Sequence, residues 1–113
     1  MKKSGMRRGP LAVRLADHHG DFFRVLQQTV RSQTAVMTVA PGQEAGPAET
    51  HAADQIVYVI EGEAEMRVGE ERCLAGPGSL ITIPTGTPHH VRSVGTVPLF
   101  FLTVYAPPAY PGS

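Results

Sequence analysis

Tryptophan is absent from this chain, and cysteine occurs once, at Cys73. A single cysteine forms no intrachain disulfide and leaves nothing from which to build a thiolate zinc cluster. We expect Cys73 to be a small, half-buried residue in a strand. No apolar run approaches the roughly 20 residues that a membrane helix needs, so no membrane partner is expected. Neither sign of charge is in excess: ten Lys and Arg balance ten Asp and Glu. That balance removes the overall field that would draw the chain to nucleic acid or anionic lipid. At 113 residues there is room for one interior and no second domain.

The neutrality hides an asymmetry. Lys2, Lys3, Arg7, Arg8 and Arg14 stand in the first fourteen residues with no acid among them. Residues 1–17 read as a flexible, solvated basic tail rather than an electrostatic tether. Gly5, Gly9 and Pro10 interrupt that start and no apolar h-region follows, which predicts a cytoplasmic protein. His18 and His19 have no partner at ligand spacing and read as surface loop residues. The segment Asp21 to Val30 is open between helix and strand. Phe22, Leu26 and Val30 have helical spacing, while its Phe and Val content suits a strand.

From Ser32 onward short β-type runs alternate with turns. Glu63 to Val68 places Ala64, Met66 and Val68 on one face and Glu63, Glu65 and Arg67 on the other, the pattern of a half-buried strand. Gly69-Glu70 is a hairpin turn before Glu71 to Leu74, and Ala75 to Gly78 makes the next reversal. Ser79 to Ile83, His89 to Val94 and the apolar Pro98 to Tyr105 follow as strands. Residues 107–113, PPAYPGS, form a Pro-rich tail, because prolines donate nothing to a ladder. Evenly spaced short strands with little helix indicate a single all-β domain over residues 18–106, an antiparallel sandwich or barrel.

Two stretches carry chemistry. In ETHAADQIVYVIEG, Glu49 and His51 are two residues apart, so an extended chain projects both from one face, and Gln55 follows ahead of an apolar run. In GSLITIPTGTPHHVRS, His89 follows a Pro- and Gly-rich turn. His90, the next residue, points to the opposite face. Glu49, His51 and His89 together supply two imidazoles and a carboxylate, the donor set of non-haem Fe(II) sites with open positions. Gln55 either adds a neutral carbonyl oxygen or donates to Glu49 or to a bound water. The thiolate-free set suits one divalent transition metal, Fe, Mn, Ni or Zn.

These stretches resemble the two motifs of the cupin superfamily, in the form found in small single-domain bacterial members. Glu49, His51, Gln55 and Gly62 take the first motif's positions, with Glu49 in place of a histidine and Gln55 in place of a glutamate. Gly78, Pro84, Gly86 and His89 match the second, with Ser93 where asparagine is usual. The resemblance spans roughly Gln33 to Tyr105. It implies an antiparallel double-stranded β-helix, or jelly-roll barrel, with Glu49, His51, Gln55 and His89 around a metal. It also implies a homodimer, in keeping with the unpaired edges of so small a sandwich, and the segment from Phe22 to Val30 is the candidate contact.

Strand parity places Val57 and Val59 on the inner face with Gln55, and Ser93 with His89. Met37 and Tyr105 complete the expected wall of an apolar substrate pocket. Arg67 and Arg92 face away by the same alternation, which argues against a sugar-phosphate substrate. The expected function is that of a metal-dependent enzyme on a small oxygenated metabolite, of dioxygenase, isomerase or lyase type, with Glu49 a ligand first and a base second. The alternative is a non-catalytic barrel that binds or senses a small molecule.

Overall fold

The computed structural model describes residues 6–111, so Lys2, Lys3 and Gly5 of the basic start lie outside the described residues, as do Gly112 and Ser113. Alternation along the chain governs what forms. In the strand Ala64–Val68, Ala64 and Met66 are buried while Glu65 and Arg67 face solvent. The described residues contain eight strands: β1 (Phe23–Gln28), β2 (Gln33–Val39), β3 (Asp54–Glu61), β4 (Ala64–Val68), β5 (Glu71–Ala75), β6 (Leu80–Ile83), β7 (His89–Ser93) and β8 (Leu99–Ala106). They pair antiparallel throughout, in a five-stranded sheet of order β1-β2-β8-β3-β6 and a three-stranded sheet of order β5-β4-β7. The spacing of runs and turns indicated an antiparallel sandwich or barrel, and the arrangement is the double-stranded β-helix that the resemblance implied.

The core lies between the sheets. Val39, Val57, Val59 and Leu99 meet Met66, Ile83 and Phe101 there, each at most 1% exposed. Full burial of such a side chain stabilises the fold by roughly 1.5–3 kcal/mol. β8 pairs with β2 and β3 and is apolar on both faces because Leu99 and Phe101 enter the core between the sheets while Phe100 joins the cluster with Leu26 and Val36 that Val13 and Leu15 cover. Two glycines set the connections. Gly69 opens the two-residue hairpin between β4 and β5 with φ +61, a value that suits glycine at the first loop position. Gly62 has φ +85, and a Cβ there would stand 2.5 Å from the Pro98 carbonyl oxygen and 2.7 Å from the Leu99 Cα. The crossing of β3 into β4 beneath β8 therefore needs glycine.

One segment left open is settled, and two expectations are corrected. The segment open between helix and strand is β1, because lying along β2 satisfies backbone groups that a ten-residue helix would hold only marginally. Within residues 1–17, the described part is not a free tail. Arg8 exchanges backbone hydrogen bonds with Gln28 at 2.8 and 3.0 Å, and Val13 and Leu15 cover Leu26, Val36 and Phe100 on the outer face of the larger sheet. Basic composition concealed these apolar anchors. Cys73 is exposed rather than half-buried, since β5 is an edge strand whose Glu71, Arg72, Cys73 and Leu74 all face solvent.

Candidate metal centre

The site is assembled by two backbone attachments. Residues 42–49 run beside β7, with Glu49 and His89 opposed in an isolated antiparallel bridge. The turn Pro84 to Thr87 is then tied to the start of β3. The Gly86 amide donates to the His51 carbonyl at 2.8 Å, and the Thr85 amide and hydroxyl donate to Asp54 Oδ1 at 2.9 and 2.8 Å. Together these links carry His51 and His89 to one place, with ring centroids 5.0 Å apart.

Glu49, His51 and His89 each bring a ligating atom within 4.8 Å of the others. His51 Nε2 lies 3.1 Å from Glu49 Oε1. His89 is 5% exposed, and its Nδ1–H donates to the Thr87 carbonyl at 3.0 Å, which leaves Nε2 with the free lone pair. Burial lowers the His51 pKa below its ordinary value, with His89 adding to the effect and Glu49 opposing it. Burial thus favours, at His51, the neutral state that a metal ligand requires.

Gln55, 5% exposed, donates from Nε2 to the Thr103 hydroxyl at 3.1 Å and to the Tyr105 phenol at 3.4 Å. Its Oε1 is buried without a hydrogen-bond partner. A buried acceptor left in this state is costly, and an electrophile at the site is what would satisfy it. The residues present therefore fit a metal: three convergent nitrogen and oxygen donors, a histidine oriented from behind, and an orphaned carbonyl oxygen beside them.

A cavity of about 330 Å³ opens at this point. Its polar lining comes from Glu49, Gln55, His89, His90, Tyr105 and Tyr110, and Phe22, Phe23, Met37, Val91 and Phe101, with the Ala45 to Pro47 stretch, supply the rest. Among the described residues no Lys or Arg lines it. Burial pushes the Tyr105 phenol up to about 12, so it is a neutral hydrogen-bonding group at ordinary pH. Met37 and Tyr105 stand in the wall, but Val57, Val59 and Ser93 do not. Their parity is inward, yet each lies farther from the mouth. A strand advances about 3.3 Å per residue, so Val57 and Val59 descend from Gln55 into the packed core. Ser93 is likewise 0% exposed.

Residues set aside in the sequence fall outside the cluster. His90 donates to Glu44 on the other side of β7, and Arg92 reaches Glu65 at 3.9 Å. His18 meets Asp21 at 3.3 Å and His19 meets Glu61 at 2.6 Å. Tyr110 is the residue that sequence reasoning missed. Its phenol donates to Glu49 Oε1 at 2.8 Å and its ring packs near His51, Tyr105 and Phe23. Its place in a proline-rich tail gave no periodicity from which to find it.

The profile describing the cupin domain matches residues 35–105. The chain belongs to the cupin domain family. A cupin fold is shared by BH2720 of Bacillus halodurans, 30% identical with a TM-score of 0.85 over 92% of this chain and 86% of that one. TT1209 of Thermus thermophilus is 29% identical, with a TM-score of 0.73 over 84% of this cupin and 96% of that chain. Among curated proteins, MJ1618 of Methanocaldococcus jannaschii is 30% identical over 79 residues, and SCO3923 of Streptomyces coelicolor is 33% identical over 58. The cupin described here spans 63% and 54% of their respective lengths. Among its described residues no helix is long and apolar enough to cross a membrane.

Proposed function

We propose that this cupin is a metal-dependent enzyme, with Glu49, His51 and His89 holding one divalent transition metal and Gln55 beside them. The observation that carries the reading is the convergence of the three donors within 4.8 Å of one another, two of them, Glu49 and His89, lining a largely apolar cavity. When bound, such a metal supplies Lewis acidity and open coordination positions for substrate oxygens.

The chain's own residues define what enters. Phe22, Phe23, Met37, Val91 and Phe101 exclude water and take an apolar body, and a wall without Lys or Arg offers no partner to a phosphate or a second carboxylate. A small, neutral or singly anionic oxygenated metabolite fits these terms. Glu49, 43% exposed and facing the cavity, is placed to take a proton from it. We also propose a homodimer. Edge strand β1 is flanked by Phe22 and Val30, 57% and 87% exposed, and Leu80 on edge strand β6 is 68% exposed. Light scattering should give twice the chain mass, and an ordered monomer would contradict the assembly.

The function is tested with metal-loaded protein and a panel of diketones, catechols, uronates and related acids. Turnover of a neutral or singly charged compound supports the enzyme. Thermal shifts without turnover assign this cupin a binding role instead.

A further inference from the structure

Glu49 is the most exposed of the three donors, 43% against 10% for the His51 side chain, and it lies outside the named strands. An exposed carboxylate on a loop ordinarily samples several rotamers. Here the phenol of Tyr110 holds Oε1 at 2.8 Å and stands 3.5 Å from His51 Nε2. Tyr110 arrives at this position from the far end of the chain, past two prolines, so something must fix it.

That fixture is Gln33. The side chain is 0% exposed, at the start of β2. Its Oε1 accepts from the Ala109 amide at 3.2 Å and the Tyr110 amide at 3.1 Å. Its Nε2 donates to the Tyr110 carbonyl at 2.7 Å and to Gln28 Oε1 at 3.0 Å. A glutamine amide has two donor hydrogens and two acceptor lone pairs, and all four are engaged, three of them by the C-terminal segment. A buried amide used in this way has one arrangement in which nothing is left unpaired. Ring contacts of Tyr110 with Phe23 at 4.9 Å and Tyr105 at 5.2 Å complete the seat.

We propose that Tyr110 is a positioning residue of the metal centre, clamped by Gln33, and that its phenol holds the Glu49 carboxylate in the orientation that ligation requires. The inference rests on the reading of Glu49, His51 and His89 as ligands. It extends the site beyond the barrel strands to the last residues of the chain. Partners that orient a ligand in this manner typically govern metal affinity by 10–100-fold.

The test uses Co(II) as probe, with affinity read by chelator competition and ligand geometry by visible absorption. Tyr110→Phe keeps the ring contacts and removes the hydroxyl. It should weaken Co(II) binding by roughly 10–100-fold and alter the absorption spectrum without a change in melting temperature. Gln33→Leu should weaken binding similarly, and the double variant should be no worse than Tyr110→Phe alone, since both act through one contact. A chain ending at Pro108 serves if Gln33→Leu does not fold, with the same loss expected. Wild-type affinity and spectrum in Tyr110→Phe would overturn the proposal.

Amide exchange on the metal-free protein separates this inference from the metal reading. Ala109 and Tyr110 amides should be protected in the wild type and lose protection at least tenfold in Gln33→Leu or, for any ordered part of the segment, in a Gln33→Ala variant. Failure of the wild type to take up Co(II) would defeat the metal reading, and exchange alone then decides the clamp. Equal, fast exchange with and without Gln33 would overturn it.

Discussion

Glu49 and His89 exchange both backbone hydrogen bonds, amide to carbonyl in each direction, at 3.1 and 3.0 Å. Directly opposed residues of an antiparallel pair project to the same side, with Cβ atoms about 5 Å apart. Donors that lie 40 positions apart in the sequence are thereby held by the backbone itself, before any side-chain contact is made.

The tie between Asp54 and Thr85 holds the other motif junction, and it predicts a pH dependence. The Thr85 amide and then its hydroxyl lower the Asp54 pKa below its ordinary 3.8. A carboxyl with a depressed folded-state pKa contributes stability that is fully present above the unfolded value and is lost as pH falls through the folded one. Asp54→Asn removes this titration, so its stability should fall less steeply below pH 3.8 than that of the wild type in acid titrations followed by circular dichroism. Superimposable acid limbs would show that the tie contributes nothing.

Gly62→Ala should destabilise the fold by about 2 kcal/mol or more, from a left-handed φ together with a Cβ 2.5 Å from the Pro98 oxygen. Urea denaturation gives the value. A loss below about 0.5 kcal/mol would mean that the β3 to β4 crossing yields easily.

The division between cavity wall and core is testable in the same way. Val59→Ala should cost about 2–3 kcal/mol, the loss of buried methyl groups plus the void they leave, while metal uptake persists. Met37→Phe should instead reduce thermal shifts by ligands at little cost in stability, since Met37 borders the cavity.

Cys73, on the exposed edge strand, should react fully with a thiol reagent in the native protein. Reaction only after denaturant would mean that another surface covers β5.

Much of this was legible in the chain. The alternation of Ala64 and Met66 against Glu65 and Arg67 needs only period-two geometry, and the strands that follow are marked by glycine and proline at their ends. The spacing around Glu49, His51 and His89 likewise pointed to residues that the fold brings together. What stayed hidden depends on depth and on partners distant in sequence. Parity tells which face Val57 and Val59 occupy but not how far from the mouth they lie. Val13 and Leu15 dock in a basic segment by covering Leu26 and Phe100, and Tyr110 reaches Glu49 only because Gln33, 77 positions earlier, holds its backbone. No local pattern records either contact.

The central claim is that Glu49, His51 and His89 hold a metal, and metal analysis of protein purified without a nickel column tests it most directly. About one divalent transition metal per chain is expected in the wild type, or after its addition, and none in His51→Ala or His89→Ala. Wild-type protein that carries no metal and takes up none, or variants that retain a full complement, would contradict the account.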